Sequence, residues 1–202
     1  SPSATDDNGV GNLPIGFTFP YNGGTQTVFG ISTNGLLLLG NTSTSISGLS
    51  SNGIATNANV IAPLWDDNNI VGGSMSYLTT GTTPNRVLTV QWTNLHIGGS
   101  GSTTYPTISM QVKLFENGDI QFVYGSTSAS LSSSTVSIGI SGASGNYLSV
   151  SPAATISNSS VSNLAENTSV ATSPLITGTT LNFTRPIIIG TSVTWSQTTD
   201  LY

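Results

Sequence analysis

Trp65-Asp66-Asp67-Asn68-Asn69 is the densest polar run in the chain. Two adjacent carboxylates followed by two carboxamides are hard oxygen donors of the kind Ca²⁺ takes, so Asp66, Asp67, Asn68 and Asn69 are candidate calcium ligands. The same residues with Trp65 also suit a glycan, the indole stacking on a sugar ring while the carboxylates accept from its hydroxyls. A plainer alternative is a strand end, with Trp65 in the core and an Asx-rich turn behind it. Asp6-Asp7-Asn8-Gly9 is a second run of the same type. It would complete a site if the N-terminal segment folded back, and taken alone it is a solvated turn. Neither run has the spacing of an EF-hand loop.

The inventory for other chemistry is small. The chain has one histidine, His96, and no cysteine. A serine nucleophile would need that histidine beside it, and no Gly-x-Ser-x-Gly stands between a strand and a helix. The glycine-rich segments around Ser100 and Ser144 fall in loops without a helix N-terminus to hold an oxyanion. His96 is therefore expected to be structural. A glycosidase would need two carboxylates set apart across a bond, and neighbours such as Asp66 and Asp67 in a strand would point to opposite faces. The residues argue for a non-enzyme.

Charge narrows the partners. Eight acids against three bases give a net −5. That lacks the basic footprint of a nucleic-acid binder or of a protein held on an anionic membrane. Charged residues are 5% of 202, where about 25% is ordinary, so the surface must be wetted by Ser and Thr, which make up roughly 30%. With 36% apolar residues the chain should fold. No run is apolar enough to insert in a membrane, and no basic then apolar leader opens the sequence, which reads as a mature or trimmed product.

The elements that must hold these residues are strands. Helical periodicity is missing, and β-branched residues alternate with small polar ones between Gly, Asn and Pro clusters. Strands are expected over residues 15–20, 27–32, 36–40, 60–64, 74–79, 86–93, 107–115, 119–124, 136–140, 147–150, 180–185 and 192–196. Residues 41–59, 98–104 and 126–135 read as surface loops, and 151–179 as a long connection or weak edge strands. The run from Ile108 to Phe115, then Glu116-Asn117-Gly118-Asp119, then Ile120 to Tyr124, is the pattern of a hairpin with a type I′ turn. Ile108, Met110, Val112 and Leu114 should face a core, and Ser109, Gln111 and Lys113 water. Together these predict an all-β, antiparallel two-sheet sandwich, jelly-roll-like, with Phe17, Phe19, Trp65, Val90, Trp92, Val112, Leu114, Phe122 and Tyr124 in or beside its core.

Five phrases carry a family resemblance: Leu13-Pro-Ile-Gly-Phe-Thr-Phe-Pro-Tyr21, Ile31-Ser-Thr-Asn-Gly-Leu36, Ile61-Ala-Pro-Leu-Trp-Asp-Asp67, Asn85-Arg-Val-Leu-Thr-Val-Gln-Trp-Thr93 and Leu114-Phe-Glu-Asn-Gly-Asp-Ile-Gln-Phe-Val-Tyr124. In this order they resemble the β-sandwich module, distantly akin to nidogen-type extracellular domains, of large secreted surface proteins of Bacteroidota. The final phrase from Val193 to Tyr202 is similar to the opening of an Ig-like or PKD-like repeat. The resemblance implies a module over residues 1–185 and a linker or first strand of a further repeat over 186–202. It also implies export to the cell surface, commonly by the type IX route, and a role in adhesion or gliding motility. Partners would be neighbouring domains of the same long chain or other copies. Two alternatives stay open: a glycan-binding lectin-like domain, and a self-assembling subunit of an extracellular filament, which low charge favours by weakening repulsion between copies.

Overall fold

The computed structural model describes residues 5–49, 53–98, 105–128, 135–143, 145–151, 160–162, 168–169 and 178–185. Alternating patterns become strands throughout, and among the described residues there is no helix. One sheet has nine strands. Its path runs β12 (Ser160–Ser162), β11 (Tyr147–Ser151), β10 (Thr135–Ser141), β5 (Val60–Trp65), β3 (Leu36–Leu39), β2 (Gly24–Ser32), β1 (Asn8–Tyr21) and β4 (Ser45–Ser47), with β13 (Thr168–Ser169) also on β10. The other has five, in the order β14 (Thr180–Phe183), β9 (Ile120–Thr127), β8 (Thr107–Phe115), β7 (Val87–His96) and β6 (Ser74–Thr80). All pairings are antiparallel.

The two sheets face each other as a sandwich. Between them lie Phe17 and Phe19 of β1, Val90 and Trp92 of β7, Val112 and Leu114 of β8, and Phe122 and Tyr124 of β9, all buried as expected. Two polar tips are satisfied across the gap. The Trp92 indole donates to the Ser32 carbonyl at 2.9 Å and the Tyr124 hydroxyl to the Pro63 carbonyl at 2.5 Å. β6 to β9 are neighbours in chain order, a meander rather than the interleaved path of a jelly roll.

Trp65 is buried, but in a second cluster. The large sheet has apolar residues on its outer face too: Leu36, Val60, Ala62 and Trp65 pack with Ile54 of the segment that follows β4. Residues 41–59 are thus more than a surface loop. Their described part adds the edge strand β4, with Ile46 buried against β1, and supplies the cover for Trp65. The run of six buried residues in β5 follows from cover on both faces.

The hairpin alternation is as expected, and its turn is not. Gly118 N–H donates to Phe115 O at 2.8 Å, and Phe115 N–H to Asp119 O at 3.0 Å. Only Gly118 has positive φ, at 101°, whereas a type I′ turn needs it at Asn117 as well. This is a three-residue loop closed by a glycine bulge. Residues 192–196 and the rest of 186–202 lie outside the described residues, as does most of 151–179.

Candidate functional site

The site is built where the chain enters the sandwich. Just before β1, residues 5–7 run beside residues 69–70: Ile70 N–H donates to Thr5 O at 2.8 Å, and Asp6 bridges Asn69. Asn69 in turn bridges His96 at the end of β7, with N–H to O distances of 2.9 and 3.2 Å. The N-terminal segment therefore folds back as a strip along the bend that leaves β5. β5 stops at Trp65, so Asp66 and Asp67 stand in that bend and are not strand residues facing opposite ways.

Beneath this strip sits the β2–β3 turn, Ser32-Thr33-Asn34-Gly35, polar and buried between two apolar strands. Gly35 has φ of +80° and packs so closely on Leu64 that a Cβ would lie 2.1 Å from its carbonyl oxygen. Only glycine fits there. That close approach sets Asn34 against the bend: its backbone oxygen accepts from the Asn68 side chain at 3.0 Å, and its own Nδ2 donates to Asp7 Oδ1 at 3.1 Å and to Leu49 O at 2.8 Å.

The five residues singled out in the sequence divide. Trp65 is 0% exposed, its indole N–H bonded to Leu49 O at 3.1 Å. No sugar can stack on an enclosed ring. Asn68 is fully buried, with Nδ2 donating to Asn34 O and Leu64 O and Oδ1 accepting from Gly98 N–H, so its amide fastens three backbone segments. Asn69 is equally buried and its Oδ1 accepts from Val71 N–H. Asp66 accepts from Asp67 N–H through Oδ1. Asp67 alone joins the N-terminal acids: ligand oxygens of Asp6, Asp7 and Asp67 all lie within 4.8 Å of one another.

The cluster is crowded with acceptors. Asp6 Oδ1, Asp67 Oδ1 and Asn34 Oδ1 are each buried without a hydrogen-bond partner. Desolvation, and after it the Asp7 and Asp67 carboxylates, hold the Asp6 carboxyl above its ordinary value; desolvation and Asp7 do the same to Asp67. Asp66 is raised by burial, against the pull of the Asp67 N–H. The sequence had both acidic runs in view but gave no measure of their distance, since Asp7 and Asp67 are 60 positions apart. Asn34 was missed as a site residue. Its signal is a buried polar quartet between two apolar strands.

His96 is 8% exposed, and its ring nitrogens face Tyr105 O at 3.1 Å and Val71 O at 3.0 Å. Neither meets a hydroxyl, so the imidazole ties two loops together. A family model described as NIDO related matches residues 1–185. No curated protein and no solved structure matches the chain.

Proposed function

The chain belongs to the NIDO-related family, and from that premise we propose that it is a non-enzymatic extracellular module, one structural unit of a longer bacterial cell-surface protein of the adhesin or gliding type. The observation that carries the reading is the use made of the few reactive side chains. His96, Asn68, Asn69, Trp65 and the Arg86–Glu116 pair are all engaged in fastening loops to the sandwich. A rigid body wetted by hydroxyls and amides suits display. In this reading residues 186–202 lead into a further repeat, export follows the type IX route of Bacteroidota, and the partners are adjoining domains or surface ligands. An antibody against the folded module, applied to intact and to permeabilised producing cells, tests the reading. Labelling of intact cells supports it. Labelling only after permeabilisation overturns it.

One observation favours assembly into a filament as a second reading. β6 ends the five-stranded sheet with no partner on its outer edge among the described residues. Its sequence, Ser-Met-Ser-Tyr-Leu-Thr-Thr, has no charge, and Leu78 is 64% exposed. Uncharged edges are where copies add strands to one another. Concentration-dependent polymers in electron micrographs, lost in Leu78→Lys, are the expected result. A wild-type protein that stays monomeric at high concentration removes this reading.

A further inference from the structure

We propose that Asp6, Asp7 and Asp67, with the buried carboxamide of Asn34, form a calcium site that fastens the N-terminal segment to the bend after β5. Three carboxylates from two distant segments, with oxygens within 4.8 Å, concentrate negative charge in one place. The chain has three basic side chains, Arg86, Lys113 and Arg185, and none is there to balance it. Arg86 pairs with Glu116, and Arg185 donates to Asn117 O and, from its backbone N–H, to Asp119. Both belong to the β8–β9 hairpin end. Strands advance about 3.3 Å per residue, so Lys113 lies roughly 20 Å along β8 from Thr107, the residue paired with His96. The two arginines are thus taken up at the hairpin end, with Glu116 and Asp119, away from the three clustered carboxylates.

The second observation is independent of the acids. Asn34 is 0% exposed, its side chain reaches Asp7, and its Oδ1 has no partner. Buried polar atoms are nearly always satisfied, and each one left over asks for an explanation. Two unpartnered oxygens belong to the acidic cluster itself, on Asp6 and Asp67, and the third sits on the Asn34 side chain, whose Nδ2 reaches Asp7; a fourth, Asn41 Oδ1, lies beside Gly11. Oxygens alone can be satisfied by a cation. With no thiol or imidazole among them the donors suit a hard ion. Calcium accepts the irregular, high-coordination oxygen sets that magnesium, with its strict octahedron, does not. Water would complete the shell on the open side, where Asp7 is exposed.

The test uses the whole 202-residue protein after chelator treatment. Titration with calcium chloride in a calorimeter should give one saturable site, and at calcium about 100-fold above Kd the melting temperature should rise by roughly 5–10 °C. Asp6→Asn with Asp67→Asn should abolish both responses, while Asp119→Asn at the far end keeps them. Should the double variant fold poorly, Asp7→Asn on the exposed side gives a gentler version, expected to weaken binding at least tenfold. No heat and identical melting curves with wild type, an unchanged response in the double variant, or equal binding of magnesium would each overturn the assignment.

Discussion

At Gly118 two constraints meet in one residue. Its φ of 101° disfavours any side chain, and a Cβ would come within 2.5 Å of Arg185 Cδ and 3.0 Å of Pro20 Cγ. A β-branched residue suffers most. Gly118→Val is expected to cost on the order of 1 kcal/mol or more, read as a lower melting temperature, and an unchanged one would refute the account of the turn. Asn-Gly was legible in the sequence as a turn. Its type was not, because a three-residue loop and a two-residue loop share that dipeptide and differ in which flanking residues pair. Tyr124 poses the opposite case, a polar atom inside the core. Burial pushes its phenol well up, and the hydroxyl bonds the Pro63 carbonyl. Tyr124→Phe keeps the ring and removes that bond, a loss of about 1 kcal/mol. Urea titration checks it, and equal midpoints would mean the bond contributes nothing.

Between elements, the tie with a pH signature is Arg86 with Glu116. The guanidinium holds both carboxylate oxygens, Glu116 also accepts from Arg86 N–H at 3.0 Å, and Nη1 reaches Gly16 O of β1 at 2.9 Å. The start of β7, the hairpin turn and β1 are thereby joined. The hydrogen bonds from Arg86, foremost, bring the Glu116 carboxyl down from 4.5 to about 2. A carboxyl with a depressed folded value stabilises fully above its unfolded value and loses that stabilisation as pH falls from about 4.5 toward 2. Wild type should therefore lose melting temperature faster than Glu116→Gln across that window. Parallel curves for the two proteins would mean the pair does not contribute to folding. The strand β6 makes a contrasting prediction. Leu78 stands on the outer face opposite Thr89, so Leu78→Lys should leave stability within about 0.5 kcal/mol. A large loss of stability in the monomer would show that Leu78 is packed rather than free.

Over the whole molecule the two sheets share one core, so truncating an aromatic such as Phe122, at 0% exposure beside Phe183, should cost about 3–5 kcal/mol and lower a single transition. Two separate transitions in calorimetry would show that the sheets unfold independently. Strand content, the hairpin, the aromatic core and the poverty of catalytic groups were fixed by composition and two-residue alternation, which are local properties of the chain. Trp65 was also legible as a buried residue, but not the face of the sheet it occupies, since that depends on the phase of β5 and on Ile54 closing over it. The acidic runs were visible as ligand chemistry, and their meeting only as a condition, that the N-terminal segment fold back; which side chains meet was not. Asp67 joins Asp6 and Asp7, while Asn68 and Asn69 turn inward to the backbone, because residues 5–7 lie along the bend and the Gly35 turn presses Asn34 up from beneath. Residue type sets what a side chain can bind. Which side chains meet across 60 positions depends on strand pairing and close packing, and only the tertiary structure decides those.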